Sequence, residues 1–174
     1  MAARIAPIHD NVEIVRQGIA ALGRLGTELY ARPAFPDGTG SIGSHYRHIL
    51  DHYQAFFSGL ESGRVDYDAR ERDATTETNI ATARARAEAT VRELTEISPD
   101  RLDRTIAVNT RTTSQAHQPP EWAPSTVRRE LAFLLSHTVH HYALINLLAR
   151  AGGIELHANF GVAPSTLVHR QLTT

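Results

Sequence analysis

Six of the ten histidines in this 174-residue chain fall in two short segments, His45/His48/His52 and His137/His140/His141. Steps of three, four and seven residues relate most of them, and residues so spaced project from one side of a helix. Each segment also sits inside an apolar pattern of helical period. The chain must therefore build helices that face one another with imidazoles among their apolar contacts, and two such helices can form a cage for a metal ion.

The period runs through most of the sequence. Val12, Ile14, Val15, Ile19, Leu22, Leu25 and Leu29 recur at helical steps and predict a first helix over 9–30, broken by Arg32-Pro33-Ala34-Phe35-Pro36-Asp37-Gly38. A second helix is expected from about Ser41 to the Ser62-Gly63 stop, with Ile42, Ile49, Tyr53, Phe56, Phe57 and Leu60 as its apolar stripe. The charged run Val65 to Asp73 reads as a solvated link to a third helix over 76–96. Ser98-Pro99-Asp100 ends that helix, and the β-branched residues near 104–109 predict a short extended piece. Thr110 to Pro124 reads as loop, and Ser125 as the cap of a last helix that runs to Arg150 and stops at Gly152-Gly153. Phe160 to Thr166 reads as an ordered tail packed back on the helices. These elements predict an all-α fold, a four-helix bundle with one long crossover connection over 98–124.

Composition bounds the remaining classes. A chain of this length, 41% hydrophobic, supports one sizeable core, so residues 1–174 are read as a single domain. Its formal charge of -1 supplies no field for nucleic acid or an anionic membrane surface. No signal-like segment and no run of roughly 18 apolar residues stands out, and a cytoplasmic location is expected. With no cysteine, thiolate ligands and a cysteine nucleophile are excluded, and thiol chemistry would need a thiol brought by a substrate.

On a wheel of about 100° per residue the last helix turns Leu131, Leu134, Thr138, His141, Ile145 and Leu148 inward, with His137 at the edge of that arc. A His-x-x-x-His pair of this kind can place two nitrogens on one metal ion, although a lone pair is as often two satisfied core histidines. On the second helix His45 and His52 lie near the axis of the stripe and His48 about 100° from it, so periodicity alone leaves the third ligand open. Three imidazoles would leave coordination positions for water or substrate, as in catalytic sites. No Glu-x-x-His occurs, which disfavours a di-iron carboxylate centre.

The stretches Ser41-Ile42-Gly43-Ser44-His45-Tyr46-Arg47-His48-Ile49-Leu50-Asp51 and Ser136-His137-Thr138-Val139-His140-His141 resemble the two motifs of the DinB-like (DinB/YfiT-like) metalloenzyme family. The first has a Ser seven positions before a histidine that two apolar residues and an Asp follow; the second is His-x-x-His-His. The resemblance implies a four-helix bundle and a divalent ion, zinc or nickel, held by His48, His137 and His141. It also implies, for some relatives, a low-molecular-weight thiol such as mycothiol, bacillithiol or glutathione as cosubstrate in transferase or isomerase reactions.

The expected function is accordingly that of a divalent-metal-dependent enzyme. It would activate a thiol or water for transfer or hydrolysis of a small-molecule substrate. A non-enzymatic metal-binding or stress-response protein is the alternative. Around the ion, His52 and Asp51 are the catalytic candidates, Asp51 as a partner that fixes an imidazole tautomer. His45, Arg47 and Trp122 are further candidates for the pocket. His140 points away on the wheel and is assigned to the surface or an interface, and apolar residues left on the outer faces make a homodimer plausible.

Overall fold

The computed structural model describes residues 2–37, 40–69, 73–111 and 119–172, with side chains from Ile5 to Arg170 within those ranges. Four long helices dominate: α1 (Ala2–Leu22), α3 (Ile42–Ser62), α5 (Ile80–Glu96) and α6 (Val127–Ala151). Short helices α2 (Thr27–Ala31) and α4 (Ala74–Thr78) precede α3 and α5, and α7 (Pro164–Leu172) ends the chain. The packed pairs are α1 on α5, α5 on α3, α3 on α6 and α6 on α1, which closes a four-helix bundle with α1 diagonal to α3.

Local chemistry sets the boundaries. Ser41 caps α3 by accepting from the Ser44 N–H at 2.9 Å, and Gly63 ends it in the left-handed region, φ 72°, which favours glycine. The first helix departs from the expected span 9–30: it begins at Ala2 and stops at Leu22, and a turn bounded by Gly23 and Gly26 separates it from α2. The third helix is likewise divided. Asn79 takes an extended conformation between α4 and α5, and its side chain accepts from the N–H groups of Ala81 and Thr82. Asx competition with the helical backbone is the physical cause.

The expected extended piece is β2 (Thr105–Asn109), the central strand of a small sheet. It pairs in parallel with β1 (Arg64–Val65) and antiparallel with β3 (Trp122–Thr126). Part of the loop expected over 110–124 is thus a strand; residues 112–118 of that loop lie outside the described residues. Pro124, opposite Ala107, hid the strand, and an edge position tolerates its missing N–H. The cap of the last helix moves by one residue from Ser125 to Thr126, which accepts from the Arg129 N–H at 3.2 Å. The tail packs back through Phe160, stacked on Tyr142 with ring centroids 4.5 Å apart, before it forms the unforeseen α7.

By length and composition α6 is apolar enough to cross a membrane, contrary to the expectation that no segment is, with 28% of its most apolar window buried. Leu131, Leu134, Thr138, Tyr142, Ile145 and Ala149 are buried at helical steps, the pattern of a bundle helix with one face in a core.

The centre of the bundle is polar. Tyr53 of α3 donates to the Asn11 Oδ1 of α1 at 2.7 Å and accepts from Thr138 of α6 at 3.4 Å. Asn11 in turn donates to the carbonyls of Pro7 (2.7 Å) and Leu131 (2.9 Å). All three side chains are fully buried, so each relies on the others for hydrogen bonds that water would otherwise supply. Gly18 of α1 permits the close crossing here, because a Cβ would lie 1.9 Å from the Tyr142 hydroxyl.

Tyr53→Phe leaves the Asn11 Oδ1 without its donor, and we expect a loss of about 1–3 kcal/mol in urea unfolding of the metal-free protein. An unchanged unfolding midpoint would show that this network does not hold the bundle.

Candidate metal centre

The α3–α6 seam gathers the histidines. His48 and His137 face each other across it with ring centroids 4.9 Å apart. His52 flanks this pair at 4.4 Å from His48 and 4.2 Å from His137, and His141 flanks it at 4.6 Å from each. His45 adjoins His141, their Nδ1 atoms 3.0 Å apart. Five of the six clustered histidines therefore form one contiguous group. The sixth, His140, is exposed as expected, its ring edge-on to His141 at 5.2 Å.

The donor set fits a metal. One nitrogen from each of His48, His52 and His137 lies within 4.8 Å of the other two. Two nitrogens on a single zinc, at roughly 2.0–2.1 Å each, are about 3.3 Å apart in a tetrahedron. Small side-chain rotations cover the difference. The nitrogen positions thus bring together His48 and His137, as the sequence motifs imply, with His52 as the third of that group, and His141 adjoins the pair by its ring.

Burial favours the neutral form of His141 and His45, and a hydrogen bond fixes the tautomer of His52. Burial, and then the neighbouring His137, His45 and His140, push the His141 pKa down to about 3, and burial followed by His140 lowers that of His45. Neutral imidazole is the form that binds metal. At His52 the tautomer follows from the partner: Nδ1 lies 2.8 Å from the His48 carbonyl, which can only accept, so Nδ1 carries the proton and Nε2 keeps the lone pair.

Aromatic side chains wall the group on the His52/His137 side. Tyr67 stacks on His52 at 5.4 Å, Phe133 stacks on His137 at 5.6 Å, and the two walls meet at 5.1 Å. Tyr67 donates to the buried Glu130 at 2.9 Å, and Glu130 also accepts from Ser125 (2.5 Å) and Arg129 (3.0 Å). Sequence reasoning missed Tyr67, Phe133 and Glu130. Tyr67 lies in the run read as a solvated link, of which residues 70–72 are outside the described residues. A Glu one turn after a Thr cap was the available signal for the last.

The other candidates lie elsewhere. Asp51, 2% exposed, is on the flank of α3 that meets α5, paired with Arg86 at 3.0 Å and Arg47 at 4.0 Å. Arg47 also pairs with Glu77 at the end of α4. Trp122 begins β3, with the Arg64 guanidinium over its ring at 5.4 Å.

A three-histidine group in the seam of a four-helix bundle defines a class of metal-site helical proteins, and comparison with known sequences narrows it. The chain belongs to the DinB superfamily, matched over residues 17–145. Among solved structures, a DinB-like protein of Bacillus subtilis, YjoA, superposes with a TM-score of 0.61 at 18% identity, over 91% of this chain and 98% of that one. YfiT from Bacillus subtilis, described as a probable metal-dependent hydrolase with an unusual four-helix bundle topology, gives 0.59 at 14% identity, over 87% and 89%. FK506-binding protein 5 of Rhizopus delemar is 32% identical over 106 residues, 60% of this chain but only 27% of that protein.

The lowered His141 pKa carries a pH signature. Because the folded value lies below the ordinary 6.5, protons bind the unfolded chain first. The His141 contribution is intact above 6.5 and is lost as pH falls toward about 3. We expect thermal melts of the metal-free protein to drop over that window, with a shallower slope in His141→Asn; equal slopes would contradict the assignment.

Proposed function

We propose that the histidine group holds one divalent ion, zinc or nickel, through His48, His137 and His141, and that the protein uses it to act on a small molecule. The observation that carries this reading is the mutual contact of His48, His137 and His141, each ring about 4.6–4.9 Å from the other two. A single ion is the consistent stoichiometry, since the five grouped side chains include no carboxylate to offset a second double charge.

When bound, the ion supplies Lewis acidity that makes a water, or a low-molecular-weight thiol, a nucleophile near neutral pH. The chain supplies the rest. His52 presents Nε2 as a base able to take the nucleophile's proton, its ring held by the His48 carbonyl and the Tyr67 face. Tyr67 and Phe133 shield that side from solvent and offer an apolar surface to a substrate. The reaction class is hydrolysis with water or group transfer with the thiol.

A second reading follows from the closeness of His52 to His48 and His137. With His52 as a fourth nitrogen donor the coordination sphere would be closed, and the protein would be a non-enzymatic metal binder.

Metal content and turnover of the zinc-loaded protein separate these readings. Alanine at His48, His137 or His141 is expected to abolish stoichiometric binding. His52→Ala should retain the ion and lower hydrolysis of an activated ester, or transfer of a thiol to an electrophile, by about 100-fold or more. Loss of the ion from His52→Ala would favour the closed site, and full occupancy in the other three variants would end the proposal.

A further inference from the structure

His45 lies outside the proposed ligand set, and its contact with His141 needs its own account. Their Nδ1 atoms approach to 3.0 Å, with ring centroids 5.2 Å apart and the planes inclined by 44°. Two lone pairs do not face each other at that distance, so one proton lies between them and one ring donates to the other. A neutral imidazole carries a single N–H, and the direction of this bond therefore decides what each remaining nitrogen can do.

If His45 donated, His141 would spend its only lone pair on that bond, and its Nε2 would carry hydrogen. His141 could then ligate nothing. If His141 donates, its Nε2 lone pair remains for the group that His48 and His137 form at 4.6 Å. His52, on the other side of that pair, follows the same rule: its Nδ1–H is spent on a backbone carbonyl at 2.8 Å.

Resting on the reading of His141 as a ligand, we propose that His45 is a positioning residue: its Nδ1 accepts the Nδ1–H of His141, which fixes the tautomer and the ring plane that present Nε2 to the ion. The placement on the helices suits the role. His45 is in the first turn of α3, one turn before His48, so the helix that supplies one ligand also supplies the acceptor that orients another across the seam. Carboxylates or backbone carbonyls commonly orient metal-binding histidines; here the acceptor is neutral, and the pair adds no negative charge that would dampen the ion's Lewis acidity.

The test uses cobalt(II) bound to the full chain, with affinity measured by chelator competition and the ligand field read from visible absorption. His45→Ala should weaken binding about 10–100-fold, the range for loss of an orienting partner, while the absorption bands keep their position and intensity. His45→Asn, whose Oδ1 occupies nearly the place of the imidazole Nδ1 and can accept, should restore most of the affinity. In the zinc-loaded protein the His141 Nδ1–H should be observable by NMR and slow to exchange, and should exchange rapidly in His45→Ala. Wild-type affinity in His45→Ala, with binding impaired in His141→Ala, would overturn the positioning role and leave the three-histidine site standing. Shifted or weakened bands in His45→Ala would make His45 a ligand and overturn it as well. Absence of cobalt binding by the wild type, or full binding by His141→Ala, would overturn both the site and this role.

Discussion

The Tyr53 hydroxyl sets the position of α3 against its neighbours. Buried where α1, α3 and α6 meet, it donates to Asn11 and accepts from Thr138. Tyr53 directly follows His52, and Thr138 directly follows His137. A slip of α3 along α6 by one turn would move a buried hydroxyl away from both partners, a cost of the order of 1–3 kcal/mol for each group left unpaired. Hydrophobic contacts alone are tolerant of such slips, because one apolar side chain replaces another. The polar network thus supplies the register that brings the two histidine segments level.

With the register fixed, the electrostatics of the seam follow from what is kept out of it. The acidic groups nearest in sequence are already engaged: Asp51 by Arg86 and Arg47, Glu130 by Tyr67, Ser125 and Arg129. Burial is therefore the main influence on the charge of His141 and His45, and burial favours the neutral ring. Neutral donors leave the charge of a cation bound among them undiminished.

Helices α3 and α6 were legible in the sequence because their signals are local. A serine cap, a left-handed glycine and apolar residues at helical steps mark α3, and the Gly152-Gly153 stop marks the end of α6. The periodic wheel placed His45 and His52 nearer the apolar stripe than His48, and the group takes in all three: His52 and His48 both contact His137, and His45 contacts His141. A wheel averages one helix about its own axis, whereas the seam lies off that axis, toward α6. The strand β3 and the aromatic walls were hidden for a different reason: their partners are distant in sequence. Trp122–Thr126 becomes a strand only because Thr105–Asn109 offers it an edge, and the Tyr67 hydroxyl finds its partner in Glu130, 63 residues later.

That Glu130–Tyr67 bond links the small sheet to the histidine group. Tyr67 follows β1 by two residues, and Ser125, which also donates to Glu130, belongs to β3. The two outer strands of the sheet, held in place by β2 between them, thus converge on one buried carboxylate at the start of α6. The carboxylate raises the Tyr67 phenol pKa further above the value that burial alone would give, so the hydroxyl remains a donor throughout the physiological range. Its ring is thereby held flat against His52. The short sheet thus has two roles: it buries Val65, Ile106 and Val108 in the core, and through Tyr67 and Ser125 it mounts one wall of the histidine group.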